Sequence, residues 1–528
     1  MRSSLNFVGA VVGLCSNSVL QDATASQSSG LRFDAVFGDG MLLQRSQPVS
    51  IWGSGAIPGA DVNVVLTVPG TPGATASTVA GPAGNWTVSL PGVPEALSSA
   101  LSVTSGSSTT TLKDIAVGEL LLCGGQSNMG FAMCATESGT QTAQQALDAL
   151  PSLRAFKWVG SGPGASGSCK TSAGARSESP VASWFTTNAS NAGTFSAVCL
   201  LTAQALYESL NGTVPVGAVE SCVSGTSVER WMPPPSANFT PPWLPACPRQ
   251  PCHGDLWRSG MVPLLPMRFA ATIWDQGEAD AKRSNASWYK VAWPAMIDGW
   301  RQGLQQTSLP FVYVELDSQM HDETPHDAID FWAAQREAAS TLPKVGFATT
   351  TDIQRGTHPP DKQDVAARLA LEVRRVAWGQ NIVSRGPELL SVASTVHQHD
   401  VGPRSGAELV LRFSNASLVS KAGLLVNSSC TGKQPPKWCG QGCGGANRAD
   451  SLATDALTGR PLNYTLGHDG TVTVECADVN SAVRINSDSA LCFLYAAIGS
   501  TNVPGGLMLP APPVLVWCNT SGSVSMPL

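Results

Sequence analysis

Apolar residues between Phe33 and about Lys113 come in short runs that Gly, Pro and Ser interrupt: Val49-Ser50-Ile51-Trp52, Val62-Asn63-Val64-Val65-Leu66, Trp86-Thr87-Val88-Ser89-Leu90 and Leu101-Ser102-Val103. Runs of this length at regular spacing predict a small antiparallel β-domain over 31–113. From Ile115 the texture changes. Apolar strand candidates at 117–122, 214–219, 270–274, 311–316 and 345–350 alternate with helical stretches at 143–155, 197–210, 288–304, 328–341 and 362–378. Strand and helix in alternation predict an α/β domain over 114–381, a parallel sheet covered on both faces with loops at the strand C-terminal ends free to build a site. The Gly/Ser-rich 159–179 and the Pro-rich 233–251 read as surface insertions. Beyond about Ile382 the β texture returns, predicting a C-terminal β-domain over 382–528.

Composition changes this picture in two places. Charged residues are only 13% of the chain and the net charge is −6, so no electrostatic footprint for nucleic acid or an anionic membrane is present. Met1-Arg2 and the apolar stretch to Cys15 have the length of a secretory signal, expected over 1–25 and too short to span a bilayer, and no run of 18 or more apolar residues appears elsewhere. Fourteen Cys, thirteen without Cys15, and nine N-x-S/T sequons agree with a secreted or lysosomal protein carrying glycans and disulfides. Thirteen is odd, so at least one Cys keeps its thiol or joins another chain.

The chemistry-bearing residues cluster where strand candidates end. Cys123-Gly124-Gly125-Gln126-Ser127-Asn128-Met129 follows the first parallel strand, and flexible Gly there can hold Ser127 at the mouth of a sheet as a nucleophile. Met129 stands where a G-x-S-x-G elbow needs Gly, which removes the α/β-hydrolase reading. Ser221 to Trp231 follows the second strand, with Gly225 able to bring a backbone N–H to a carbonyl oxygen, and Trp274-Asp275-Gln276-Gly277-Glu278-Ala279-Asp280 ends the third. His358, in Thr357-His358-Pro359-Pro360-Asp361-Lys362 after the fifth, is placed to take a proton from a Ser hydroxyl and return it to a leaving alcohol. His397 and His399 form an H-x-H pair with no third ligand in reach by sequence. Singly, each of these strings is also what an ordinary polar loop looks like.

In this order the motifs resemble the sialate O-acetylesterases, within the SGNH class of Ser-dependent esterases. The likeness runs through Phe37 to Arg45, Ile51-Trp52-Gly53, Gly124 to Met129, Gly225 to Trp231, Gly260 to Leu264, Trp274 to Asp280 and His358 to Lys362. It implies a flavodoxin-like SGNH sheet flanked by β-domains and an ester hydrolysis through an acetyl-enzyme. Ser127 would be the nucleophile, His358 the general base, and the backbone N–H groups of Ser127 and Gly225 with the Gln276 side chain the oxyanion donors. Glu278 would be a support or substrate contact. The resemblance requires no metal or organic cofactor, since side chains supply nucleophile and base. Two positions depart: Ser224 precedes Gly225 where relatives usually carry a second Gly, and Arg355 stands where many SGNH enzymes place an orienting Asp, which leaves a Ser-His dyad whose orienting group is Asp352, a backbone carbonyl or absent. Arg230 is the expected partner for a sialic acid carboxylate. The expected partner is an O-acetylated sialic acid, with another acetylated polysaccharide such as xylan, or a silent glycan-binding role, as alternatives. The sequence carries no statement of oligomeric state.

Overall fold

The computed structural model describes residues 30–136, 153–159, 183–188, 191–233, 254–281, 286–316, 325–350 and 358–386, and short strands between 389 and 517. Eight strands open it: β1 (Arg32–Phe33), β2 (Leu42–Gln44), β3 (Val49–Ser54), β4 (Asp61–Thr67), β5 (Ala74–Val79), β6 (Trp86–Leu90), β7 (Ala96–Ser105) and β8 (Ser108–Gly125). Strict alternation in β4, with Val62, Val64 and Leu66 buried and their neighbours exposed, shows the one-sided sheet that its sequence predicts.

β8 is the spine of the molecule. Its first part pairs antiparallel with β7, its middle parallel with β2 (Leu42 opposite Ala116), and its end parallel with two further strands. The change of texture at Ile115 therefore falls inside one strand. Asp114, at φ 55°, marks the irregularity there, a conformation Asp tolerates better than most residues.

The strands that follow are β9 (Leu153–Val159), β10 (Trp184–Thr186), β11 (Val216–Cys222), β12 (Ala271–Asp275), β13 (Phe311–Val314) and β14 (Val345–Ala348). They order as β10-β9-β11-β8-β12-β13-β14 in one large mixed sheet. All pairs are parallel except β10 with β9, so the wholly parallel sheet expected from sequence gains an antiparallel edge. Leu153–Ala155, expected to close a helix, instead open β9, because Leu153 and Ala155 face one core while Phe156 faces the other, a period of two.

Helices α1 (Ala197–Ser209), α2 (Glu278–Ala281), α3 (Ala286–Gly303), α4 (Pro325–Thr341) and α5 (Lys362–Val376) connect the strands. The parity of β8 separates the two cores. Leu121 and Cys123 join the side chains of α1 and α5 on one face, while Leu120 and Leu122 belong with Trp274, Trp293, Trp300 and Phe331 of the other. A disulfide between Cys123 and Cys199 fastens β8 to α1, Cα atoms 5.9 Å apart. Ser196 caps α1, its side chain accepting from the Cys199 N–H at 3.1 Å.

Past residue 386 the described strands are antiparallel, Leu389–His397 with Gly406–Phe413, and that strand with Thr471–Cys476. His397 lies on the first of these, and His399 lies outside the described residues. No helix among the described residues is long and apolar enough to cross a membrane. The stretches 1–25, 160–179 and 234–251, where a signal and two insertions are expected, also lie outside the described residues.

Candidate active site

The site assembles at the C-terminal ends of β8, β11 and β12, where three loops leave neighbouring parallel strands. The chain turns sharply as β8 ends. Gly125 has φ 141°, and a Cβ there would lie 2.2 Å from the Asp275 carbonyl oxygen, so only glycine lets the two strands close. Gln126 N–H then donates to that same carbonyl at 3.0 Å, and Ser127 follows, buried to 7% exposure.

His358 reaches Ser127 from the loop before α5, its Nε2 2.8 Å from Ser127 Oγ. That is hydrogen-bond reach for a base and its nucleophile, across 231 positions of sequence. Asp352, the candidate third member, lies outside the described residues.

Gly225 sits in a turn at φ 68° with open space around it. Among the described residues neither the Ser127 nor the Gly225 backbone N–H donates to another group, which leaves both free for a negatively charged oxygen. Gln276 does not share that freedom. Its Nε2 donates to Thr226 O at 3.0 Å and to Asp280 Oδ2 at 2.5 Å, and its Oε1 accepts from Tyr289 at 3.1 Å. Both amide hydrogens are engaged, so Gln276 braces the Gly225 loop, and an oxyanion would have to displace one of these bonds. Asp280 extends the brace by accepting from Val228 N–H at 3.0 Å.

Arg230 is likewise committed. Nε and Nη2 form a two-point pair with Asp255 at 3.0 and 2.7 Å, so the guanidinium fork expected for a substrate carboxylate already grips a protein one. No local signal points to this partner, which lies 25 positions away beyond a Pro-rich stretch.

Beneath Ser127 lies a cluster that the motifs contained without revealing. Asn128 Nδ2 donates to Glu278 Oε1, and Lys362 Nζ donates to Asn128 Oδ1 at 2.9 Å. This amide orientation is fixed chemically, since a carboxylate only accepts and an ammonium only donates. Glu278 thus supports the Ser127 loop. Lys362 is fully buried and also lies 5.2 Å from the Phe131 ring centre. Asp275 completes the group. Burial pushes its carboxyl up to about 7, with Lys362 pulling it down and Glu278 pushing it further up. The Asp275 carboxyl therefore keeps its proton through the weakly acidic range.

Cys222, at the end of β11, keeps its thiol and donates to Glu220 Oε1 at 3.6 Å, while Cys134 is disulfide-bonded. A cavity of about 490 Å³ bordered by Glu119, Arg268 and Lys344 opens at the opposite end of the strands. Six steps of extended β8, roughly 20 Å, separate Glu119 from Gly125, where the chain turns toward Ser127, so that cavity is no part of this site.

The sequence profile of the family described as carbohydrate esterase, sialic acid-specific acetylesterase, matches residues 178–367. That span includes Gly225, Gln276 and His358 and begins downstream of Ser127. The sialate O-acetylesterase of Rattus norvegicus is 28% identical over 443 residues, 71% of this chain and 79% of that protein. The sialate O-acetylesterase of Homo sapiens is 27% identical over 429 residues, 72% and 77% of the two chains. Among solved structures, that of a carbohydrate acetylesterase from Xanthomonas citri aligns with a TM-score of 0.68 at 26% identity, covering 92% of this chain and 99% of that one. The chain is therefore similar in sequence to the sialate O-acetylesterases, the resemblance its motifs carry, and in fold to a carbohydrate acetylesterase.

Proposed function

We propose that this chain is a carboxylic-ester hydrolase that removes O-acetyl groups from sialic acids, with Ser127 as nucleophile and an acetyl-enzyme as intermediate. The observation that carries the mechanism is the 2.8 Å approach of His358 Nε2 to Ser127 Oγ. In the first half-reaction Ser127 Oγ attacks the acetyl carbonyl carbon as its proton passes to His358. The resulting oxyanion sits against the free N–H groups of Ser127 and Gly225, each such donor being worth roughly 10²-fold or more in rate. As the tetrahedral species collapses, the C–O bond to the sugar breaks and His358 returns its proton to the departing hydroxyl. Water, deprotonated by His358, then attacks the acetyl-enzyme, and acetate leaves as Ser127 recovers its proton. Nothing in this sequence of steps requires a cofactor.

The order of the strands around β8, and the placing of the three loops at their C-terminal ends, support an SGNH-type core, with the strands before residue 108 and after 386 as flanking β-structure. Similarity to sialate O-acetylesterases and to a carbohydrate acetylesterase favours an acetylated sugar as substrate. The Cys123–Cys199 disulfide and the nine sequons support a secreted or lysosomal setting. The test is acetate release from 9-O-acetylated sialic acid and from acetylated xylan, with Ser127→Ala and His358→Ala alongside. Release from the sialic acid, lost in both folded variants, is the expected result. Release from xylan alone would overturn the substrate, and no release from either or from an aryl acetate would overturn the reaction.

A further inference from the structure

Lys362 is four residues past His358, and the link between them is Pro359-Pro360-Asp361. Two consecutive prolines lock two φ angles, so little freedom separates the base from the first residue of α5. Pro359 is buried, and Lys362 N–H donates to Pro360 O at 3.0 Å, which tightens the link further. Behind it α5 is fixed by Val365, Leu369 and Val373, buried in the core shared with α1.

At the other end of this stiff segment stands the nucleophile loop. Lys362 Nζ meets Asn128 Oδ1 at 2.9 Å, and Asn128 directly follows Ser127. Asn128 is in turn bonded to Glu278, on α2, just past the end of β12. Base and nucleophile thus hang from one buried pin with a short arm on each side. A fully buried ammonium is costly to place, and here it spans the two loops whose spacing decides whether a proton can move.

We propose that Lys362 and Asn128 are positioning residues that set the separation of His358 from Ser127, an inference that rests on the reading of Ser127 as nucleophile and His358 as base. Neither touches the reacting atoms. They act through the geometry of the pair, and a misplacement of about 1 Å in such a pair can cost on the order of 100-fold in rate.

The test uses Lys362→Met, Asn128→Ala, the two combined, and Lys362→Arg as the variant that keeps a buried donor. Steady-state hydrolysis of an aryl acetate should show kcat lower by roughly 30- to 100-fold in each of the first two with KM within about twofold. The combined variant should be no slower than the slower single one, since both remove one pin, and Lys362→Arg should recover part of the rate. A general loss of packing would instead make the two effects multiply. The second measurement is a crystal structure of Asn128→Ala, or of Lys362→Met, whichever folds. The Ser127–His358 distance should exceed about 3.5 Å while β8 and α5 stay in place. A distance unchanged from 2.8 Å, or kcat within threefold of wild type, overturns the proposal. Should wild type hydrolyse no aryl acetate, the esterase reading fails on its own, and the distance alone decides the role of the pin.

Discussion

Asp275 offers the sharpest quantitative test of the cluster beneath Ser127. Its carboxyl is held at about 7 against an ordinary 3.8, first by burial and then by Glu278, despite the opposing pull of Lys362. In the unfolded chain the group loses its proton near pH 4, in the folded protein only near pH 7. Between those limits the folded state binds the extra proton, so this residue's contribution falls as pH rises through the window and is flat on either side. Three pKa units at about 1.4 kcal/mol each make a swing of about 4 kcal/mol. Asp275→Asn keeps the shape and removes the titration. The perturbation leaves the backbone carbonyl that holds Gln126 in place. Urea unfolding of both proteins between pH 4 and 8, followed by tryptophan fluorescence, reads the difference, and the neighbouring buried Trp274 reports this part of the sheet. The stability of wild type relative to the variant should decline by about 4 kcal/mol across the window, whatever constant offset packing introduces. An offset that stays constant to within about 1 kcal/mol from pH 4 to 8 would refute the assignment of the proton to Asp275.

Gly125→Ala places a methyl 2.2 Å from the Asp275 carbonyl at an unfavourable φ, so a loss of about 3 kcal/mol or more and of esterase activity is expected by denaturation and acetate release; an active, equally stable variant would mean the strands can part. Replacing Cys123 and Cys199 together by Ala opens a loop of 76 residues, and loop-closure entropy puts the cost at about 4 kcal/mol. The oxidised double variant should then unfold at a lower denaturant midpoint than oxidised wild type, and coincidence of the two midpoints would sink the estimate. Arg230→Ala should leave KM for an acetylated sialic acid within about twofold and cost about 1 kcal/mol of stability, since its fork already holds Asp255. A tenfold rise in KM for the acidic sugar, absent for a neutral acetylated one, would show that the substrate displaces Asp255.

The loops that carry Ser127, Gly225, Gln276 and His358 were legible because each follows an apolar strand and begins with a glycine, a polar run or a proline pair. Their mutual geometry was not, and Gln276 shows why. Which partner an amide chooses depends on a carbonyl and a carboxylate that other loops bring to it, here Thr226 O and Asp280. Lys362 and Asn128 stood inside the motifs yet looked like ordinary polar residues, because nothing local reports that a lysine at a helix start is fully buried. The change of texture at Ile115 is no strand end for a related reason: tertiary pairing carries one strand straight through it, from β7 on one side to β11 and β12 further on. Leu153–Ala155 illustrates the ambiguity of short apolar runs, which fit a helix or a buried strand equally until neighbours choose.

The long strand β8 also has a consequence for synthesis. Its last part becomes central only when β11 and β12 flank it, Leu122 lying opposite Val219 on one side and Thr272 on the other. Those partners leave the ribosome about 100 and about 150 residues later, which at roughly 5–20 residues per second is a wait of about 5 to 30 seconds. Until β11 emerges the apolar run Leu120-Leu121-Leu122-Cys123 presents two unsatisfied edges, and from then until β12 emerges it presents one. The strand that delivers Ser127 is thus open to misassociation during translation, and its protection falls to whatever shields nascent chains until β12 arrives.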